Sequence, residues 1–401
     1  MHSKRKQTDR ASRNLDMVTH DASWHLSREL TWYTQQSIFD LMHRWLGSGP
    51  VYSAIGNHDT APSDFAAPSS LPDGRGDQFS WDWLNVARLF KKEGWITSPE
   101  DLKEVRTHYA GYSVKHGKHL RVITLNTDMW YKGNIYNFIS SQNPDYSGML
   151  RFLTDELIEA ERKNEKVWII GHVLSGWSGT NGLDNPTNLF YQIVSRFAPY
   201  TIKAVFFGHT HEDQFSVFYN QNGTTHSARD AVSQAFIGPS VTPLTNVNPS
   251  FRIYDVDPLS YDVVDYHQYY AQTDGFKTLP SSGHGPVWTK LYSARETYGN
   301  LSTSRANGTY TAPVALSSDG LWPESAPLNG SFWAAVTDEM VARPELVTLH
   351  TRYSGRDSPR SPTCTSPECV AAKICYMRAG SSPLGKLCPR GFDSVQSGNY
   401  H

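Results

Sequence analysis

Three apolar runs in this sequence end in the same way, and that recurrence most constrains the fold. Each run is followed by a glycine and then by a polar side chain that can bind a metal ion. The segments are IGNHD at 55–59, IIGHV at 169–173 and FFGHTH at 206–211. A short apolar run bounded by turn residues is typical of a buried β-strand. The pattern therefore predicts three strands whose ends carry ligands, held in place by the rigid sheet beneath them.

Strand-like and helix-like segments alternate through the first two thirds of the chain. Helical spacing occurs at 29–46 and 149–162, and a Pro-, Ser-, Asp- and Gly-rich loop is predicted at 61–80. The apolar faces of the two helices are predicted to be Ile38, Leu41, Met42 and Trp45, and Leu150, Leu153, Leu157 and Ile158. Strands are predicted at 51–55, 120–125, 167–170, 203–207, 214–219, 233–238 and 251–256. This order favours an α/β sandwich over one all-parallel sheet, with a domain boundary near residue 270.

The charge balance bears on the class of partner. The 401 residues include 37 Lys and Arg against 39 Asp and Glu, a formal net charge of −2. A surface that grips nucleic acid by charge needs a strong basic excess, so a nucleic-acid partner is not expected.

Asparagines and cysteines point to an extracellular or lysosome-like compartment. N-x-[ST] sequons occur at Asn222, Asn300, Asn307 and Asn329. The cysteines Cys364, Cys369, Cys375 and Cys388 have no C-x-x-C spacing, which favours disulfides over a metal site and leaves three pairings open. The polar, basic N-terminus contains no signal-peptide core, so we expect that the natural chain begins earlier.

Histidine and asparagine at the strand ends favour a metal centre. Imidazole nitrogens and amide or carboxylate oxygens suit Zn²⁺ and similar ions. In His209-x-His211, alternate residues of an extended backbone would point the same way and place two imidazoles on adjacent metals. GNHD or the single GH alone also fits an ordinary turn. GHTH is the stronger signal, because two histidines rarely pack at a strand end for structural reasons, and the three segments together favour metal binding.

These segments resemble the calcineurin-like metallophosphoesterase family, and in finer detail its acid sphingomyelinases. The similarity includes PVYSAIGNH at 50–58, IIGH at 169–172 and FFGHTH at 206–211. It extends to Asn248-Pro249 with Arg252-Ile253-Tyr254, to SARETYG at 293–299 and to the cysteine spacing, and covers roughly residues 16–390.

The resemblance implies a fold and a set of roles. The fold would be a metallophosphoesterase sandwich of mixed sheets flanked by helices over 1–270, with a mostly helical, disulfide-containing domain over 271–401. Two divalent ions, expected to be Zn²⁺, would share Asp16. The second ion would bind Asn57, His172 and His209, and the first His211. His20 would contact the substrate phosphate and His58 the leaving group, and the disulfides would be Cys364–Cys369 and Cys375–Cys388.

One part of the family pattern has no match. The family begins its site with an Asp-x-His that supplies two ligands of the first ion, and nothing before Asp16 fits it. Leu15 also replaces the glycine that precedes the bridging aspartate. Asp265-Tyr266-His267 has the spacing but lies too late in the chain, and we interpret it as structural. These departures predict low or absent activity.

The implied reaction is hydrolysis of sphingomyelin to phosphocholine and ceramide by a metal-activated hydroxide, with contact to a lipid surface. Trp130, Tyr131 and Tyr136 are candidates to contact the quaternary ammonium group. Two alternatives stay open. One is a nucleotide phosphodiesterase of the same family, and the other is a non-catalytic lipid-binding relative. The sequence sets no oligomeric state.

Overall fold

A computed structural model describes residues 11–14, 17–18, 20–21, 23–47, 49–71, 75–274 and 285–396. The chain divides into two compact units, Met1–Val173 and Leu174–His401. The boundary predicted near residue 270 concerns domains and stays a prediction. No helix within the described ranges has both the length and the apolar character needed to cross a bilayer.

The first unit combines two sets of strands with helices. Strands β1 and β2 pair in parallel, β3 pairs antiparallel with β4, and β4 pairs in parallel with β5. The elements, in chain order, are β1 (Ala11–Asn14), α1 (Arg28–Leu46), β2 (Val51–Ala54), α2 (Ser80–Glu93), α3 (Pro99–Thr107), β3 (Tyr112–His116), β4 (Leu120–Thr124), α4 (Met149–Arg162) and β5 (Lys166–Ile170).

Strands β4 and β5 form the centre of this unit because their apolar runs are buried on both faces. Every residue of β4 is buried, and Val167 to Ile170 of β5 are buried as well. Continuous apolar runs of this kind are typical of parallel strands covered by helices. Helix α4 packs against both strands. The loops that follow β4 and β5 consequently start from one rigid edge.

Two predicted helix faces are partly wrong. In α1, Met42 is buried, but Leu41 and Trp45 are exposed and the buried stripe runs through Thr31, Gln35 and Phe39. In α4, Ile158 is exposed, whereas Phe152 and Ala160 are buried beside the predicted leucines. The loop predicted to reach residue 80 ends earlier, because a 3-10 turn spans Arg75–Phe79 and leads into α2.

The second unit contains two further sets of strands and the helical C-terminal region. Strands β6 and β8 pair in parallel, β8 pairs antiparallel with β7, and β10 lies between β9 and β11 in an antiparallel sheet. The elements are α5 (Asp184–Phe197), β6 (Ile202–Phe207), β7 (Gln214–Tyr219), β8 (Ala231–Ile237), β9 (Ser250–Val256), β10 (Val263–Tyr270), β11 (Thr289–Ser293), α6 (Ala294–Tyr298), α7 (Ser302–Ala306), α8 (Gly330–Ala342), α9 (Glu345–Ser354), α10 (Pro367–Met377) and α11 (Ser382–Gly385).

Two disulfides lie in the C-terminal region. Cys364 is bonded to Cys369 and Cys375 to Cys388, with Cα atoms 5.6 Å apart in each pair. The pairing implied by the family resemblance is confirmed. The prediction of mixed sheets flanked by helices, followed by a helical region with disulfides, is confirmed too.

Candidate metal centre

In the first unit, the structure brings together two of the predicted ligands. Asn57 follows β2 and His172 follows β5, and both side chains are buried. The Oδ1 atom of Asn57 lies 3.0 Å from the Nε2 atom of His172. The residues are 115 positions apart in the chain, so their meeting is a product of the fold.

Neighbouring side chains fix the orientation of both groups. The Asn57 amide nitrogen donates to Oδ1 of Asp64 at 2.7 Å, which directs the amide oxygen toward His172. The Thr127 hydroxyl oxygen accepts the main-chain N–H of His172 at 3.0 Å and that of Val173 at 2.6 Å. Sequence reasoning missed Asp64 and Thr127, because neither lies in a motif that indicates chemistry.

The chemistry and spacing of this pair fit a divalent ion. An amide oxygen and an imidazole nitrogen are both suitable ligands. With bonds of about 2.0–2.2 Å, two ligand atoms of one ion lie roughly 3–3.5 Å apart, which the Asn57–His172 distance matches.

The two histidines with predicted catalytic roles also meet within this unit. The rings of His20 and His58 stack with centroids 3.8 Å apart and planes inclined by 25°. Both side chains are half-buried. The two imidazoles therefore form one pair, and His58 is the chain neighbour of Asn57.

Asp59 ties the GNHD turn to the segment that follows β1. Its buried carboxylate accepts the N–H of Gly56 at 2.7 Å and the N–H of Met17 at 2.9 Å. The predicted bridging ligand, Asp16, lies outside the described residues. Asp59 nevertheless holds the residue next to it, which assigns this part of the GNHD motif a positioning role.

In the second unit, the predicted ligands His209 and His211 follow β6 in an unusual backbone conformation. Their φ angles are 71° and 61°, in the left-handed region. The expectation of an extended backbone at 209–211 is therefore wrong. A tight turn, in which the Thr210 N–H donates to the Gly208 carbonyl at 2.8 Å, replaces it. Left-handed non-glycine residues cost of order 1–3 kcal/mol each and cluster at functional sites.

A buried polar network holds this strained turn. The Arg356 guanidinium donates to the His211 carbonyl and, at 2.6 Å, to the Asn248 carbonyl. Glu212 is fully buried and accepts the Val395 N–H at 2.8 Å. Burial raises the pKa of the Glu212 carboxyl. The imidazoles themselves contact Asn181 and the Leu244 carbonyl at 3.1 and 3.2 Å. Sequence reasoning missed Arg356 and Asn181 because their roles depend on distant partners.

Of the three aromatic candidates, one is unsuited to substrate contact. Trp130 is buried, and its indole N–H donates to the Val173 carbonyl at 3.0 Å. Tyr131 and Tyr136 are half-buried. The Tyr136 ring packs edge-on against Phe79, and its hydroxyl accepts from Gln78 at 2.8 Å.

A match to a known protein family agrees with the motifs at 55–59, 169–173 and 206–211. Residues 16–213 match the calcineurin-like phosphoesterases. The chain therefore carries a calcineurin-like metallophosphoesterase domain, a class that uses a divalent metal centre.

The relatives to which this chain is similar in sequence include sphingomyelin phosphodiesterases and a cyclic GMP-AMP phosphodiesterase. Sphingomyelin phosphodiesterase 1 of Caenorhabditis elegans is 29% identical over 93% of this chain and 58% of its own length. Sphingomyelin phosphodiesterase of Homo sapiens is 33% identical over 72% of this chain and 43% of its own length. Cyclic GMP-AMP phosphodiesterase SMPDL3A of Homo sapiens is 27% identical over 62% of this chain and 53% of its own length. The chain thus spans about half the length of the curated relatives it matches.

Proposed function

We propose that this chain hydrolyses a phosphodiester, and that the substrate is sphingomyelin, cleaved to phosphocholine and ceramide. The observation that carries the proposal is the Asn57–His172 pair, two ligand atoms 3.0 Å apart that follow strand ends. The similarity to sphingomyelin phosphodiesterases of nematode and human supports this substrate.

The metal centre we propose contains two divalent ions, Zn²⁺ by the chemistry of the ligand set. Asn57 and His172 of the first unit would be ligands of one ion, and the ligand roles of His209, His211 and Asp16 stay predictions of the family resemblance. A bound pair of such ions supplies positive charge to the phosphoryl oxygens and lowers the pKa of bound water.

The stacked histidines supply the proton that the reaction needs. As the ester bond breaks, the departing oxygen gains negative charge and takes up a proton. His20 or His58 would donate it, and general acid catalysis of this kind contributes about 10²–10⁴ in rate. The hydrogen bonds of Asp59, Asp64 and Thr127 would keep the surrounding loops in place.

A nucleotide phosphodiester is the second candidate substrate. The supporting observation is the similarity to a cyclic GMP-AMP phosphodiesterase over 62% of this chain. Both substrates present the same phosphodiester group and differ in what surrounds it.

We also propose an extracellular or lysosome-like location, with glycosylation and contact to a lipid surface. Asn222, Asn300 and Asn307 are exposed, whereas Asn329 caps α8 through its side chain. Trp24 and Trp45 are 83% and 77% exposed, and such amphipathic side chains suit a membrane–water interface. Mass spectrometry of the secreted protein and co-sedimentation with sphingomyelin vesicles test these points. Unmodified asparagines or absent vesicle binding would contradict them.

One assay distinguishes the functions. The full chain, loaded with Zn²⁺, is given sphingomyelin in mixed micelles or a nucleotide phosphodiester, and phosphocholine or nucleotide release is measured. We expect phosphocholine release that a chelator and His209→Ala each abolish. His43→Ala, which changes an exposed histidine paired with Glu93, is the matched control and should leave the rate unchanged.

Because the sequence predicts a low rate of hydrolysis, each variant is purified and assayed in parallel with wild type. If the nucleotide phosphodiester is hydrolysed faster than sphingomyelin, the nucleotide is the better supported substrate. Vesicle binding without hydrolysis of either substrate would instead support the non-catalytic lipid-binding alternative.

A further inference from the structure

The Asp-x-His at 265–267, whose place in the sequence favours a structural role, is joined by a third polar side chain in the folded chain. Asp255 of β9 joins Asp265 and His267 of β10, and one potential ligand atom from each lies within 4.8 Å of the others. We propose that these three residues form a Zn²⁺ site in the β9–β10–β11 sheet. It is separate from the centre proposed for phosphodiester hydrolysis and independent of that function.

The strand register creates this cluster. Asp265 lies directly opposite Asp255 in the antiparallel β9–β10 pair, next to a register irregularity at Val263. His267 is two residues further along β10 and therefore shares a face with Asp265. Directly opposed residues have Cβ atoms about 4.5–5.5 Å apart, so the backbone itself holds the carboxylates close together.

The charge of the cluster favours a cation. Two like charges directly opposite each other on neighbouring strands destabilise the pairing. The Nε2 atom of His267 lies 3.0 Å from Oδ2 of Asp255, so an ion held by the carboxylates would also be within reach of the imidazole. A divalent ion would neutralise both carboxylates and take the lone pair of a neutral imidazole.

Hydrogen bonds hold the Asp265 carboxylate in a fixed orientation, as is usual for a metal ligand. Its Oδ1 atom accepts the N–H groups of Tyr266 and Arg295 at 2.8 and 2.9 Å, and its Oδ2 atom accepts the Ser293 hydroxyl at 2.6 Å. Hydrogen bonds that orient a ligating carboxylate are a regular feature of metal sites. A carboxylate oxygen has two lone pairs, so Oδ2 keeps one for an ion.

The site is open to ions and water. The side chains of His267 and Asp255 are 25% and 46% exposed. One imidazole and two carboxylates, completed by water, match a tetrahedral Zn²⁺ site with an open position. The imidazole in this ligand set favours Zn²⁺ over Mg²⁺ or Ca²⁺, which prefer oxygen ligands throughout.

The test measures Zn²⁺ binding by the full chain, without reference to activity. Wild type, Asp255→Asn and His267→Gln are dialysed against buffered Zn²⁺, and the ions bound per chain are counted by atomic absorption. Asp265 is left intact because it also holds Ser293 at the start of α6. Glu296→Gln removes an exposed carboxylate near the same sheet and is the matched charge control.

We expect each ligand variant to bind one Zn²⁺ fewer than wild type, or to bind it at least about tenfold more weakly. The control should match wild type. Co²⁺ substitution gives a second readout, since His267→Gln should lose the absorption of one tetrahedral Co²⁺. Unchanged stoichiometry and affinity in both ligand variants would overturn the proposal, as would an equal loss in Glu296→Gln.

Discussion

The Oδ1 atom of Asn57 and the Nε2 atom of His172 lie 3.0 Å apart, although each belongs to a different loop. The contact requires that the oxygen of the Asn57 amide, and not its nitrogen, faces His172. Asp64 sets this orientation because its Oδ1 atom accepts a hydrogen bond from the Asn57 amide nitrogen at 2.7 Å. The orientation of one ligand is therefore set by a residue that need not touch the ion.

Asp64→Ala tests this dependence. Without this acceptor the Asn57 amide loses the contact that orients it, and we expect Zn²⁺ affinity to fall by about 10–100-fold, as for other groups that orient metal ligands. Titration with a competing chelator measures the change. Asp64→Asn is the conservative control, since asparagine keeps an acceptor oxygen and tolerates the φ of 72° at this position. Equal affinity in Asp64→Ala and wild type would show that the contact does not orient Asn57.

Asp59→Asn tests the link between the GNHD turn and the segment after β1. In wild type each carboxylate oxygen of Asp59 accepts one buried N–H, that of Gly56 or that of Met17. Asparagine has only one acceptor oxygen, so the two donors must share it. Leaving a buried donor without a partner costs about 1–3 kcal/mol, and we expect a loss of that size in the free energy of unfolding. Urea titration measures it.

The control for Asp59 is Asp155→Asn, which changes an exposed aspartate on α4. It should shift the free energy of unfolding by less than about 0.5 kcal/mol. Equal stability of the two variants would mean that Asp59 does not hold the turn.

Strand positions could be predicted from the sequence because their signal is local. The strand predicted at 214–219 has the observed bounds, and those predicted at 120–125 and 203–207 differ by one residue at one end. An apolar run flanked by turn residues carries its own information. The cysteine pairing was not of this kind, since spacing left three possibilities and only the family resemblance selected one.

The wrong face of α1 shows where local information ends. Gln35 is buried because it bonds to Asp82 and Asn85, which are 47 and 50 residues away. Hydrophobic periodicity assigns such a residue to the surface and places Leu41 and Trp45 inside instead. The turn at 209–211 was mispredicted for the same reason, because its left-handed conformation is held by Arg356, 145 residues further along.

Asp82 makes the first unit less stable as the pH rises toward neutrality. Burial raises the pKa of its carboxyl from 3.8 to about 7. Between about pH 4 and 7 the unfolded chain has lost this proton while the folded chain retains it. The free energy of unfolding therefore falls across that window and is level above it.

Asp82→Asn should remove this fall. Asparagine keeps an acceptor for Gln35 and has no proton to lose. We expect the free energy of unfolding at pH 7.5 to rise by roughly 1–3 kcal/mol, with little change at pH 4. Urea titrations at several pH values measure it. Parallel pH profiles for Asp82→Asn and wild type would contradict the assignment.

His350 makes the second unit less stable as the pH falls, which is opposite to the pH dependence that Asp82 gives the first unit. Burial lowers the pKa of its imidazole from 6.5 to about 3, and the positive charges of Lys373 and Arg252 act in the same direction. Below about pH 6.5 the unfolded chain binds a proton that the folded chain excludes, so the free energy of unfolding falls as the pH falls toward 3. One such group contributes a slope of up to about 1.4 kcal/mol per pH unit.

His350→Phe should flatten that slope, because phenylalanine preserves a ring beside Phe215 and does not titrate. The free energy of unfolding, measured in urea at pH 7.5, 6 and 5, should decline less in the variant than in wild type. His43→Phe, at an exposed position, should keep the wild-type decline. A variant that declines as steeply as wild type would show that other groups govern acid stability. The result bears on the proposed lysosome-like location, since a chain that works there must retain its second unit with His350 buried and neutral.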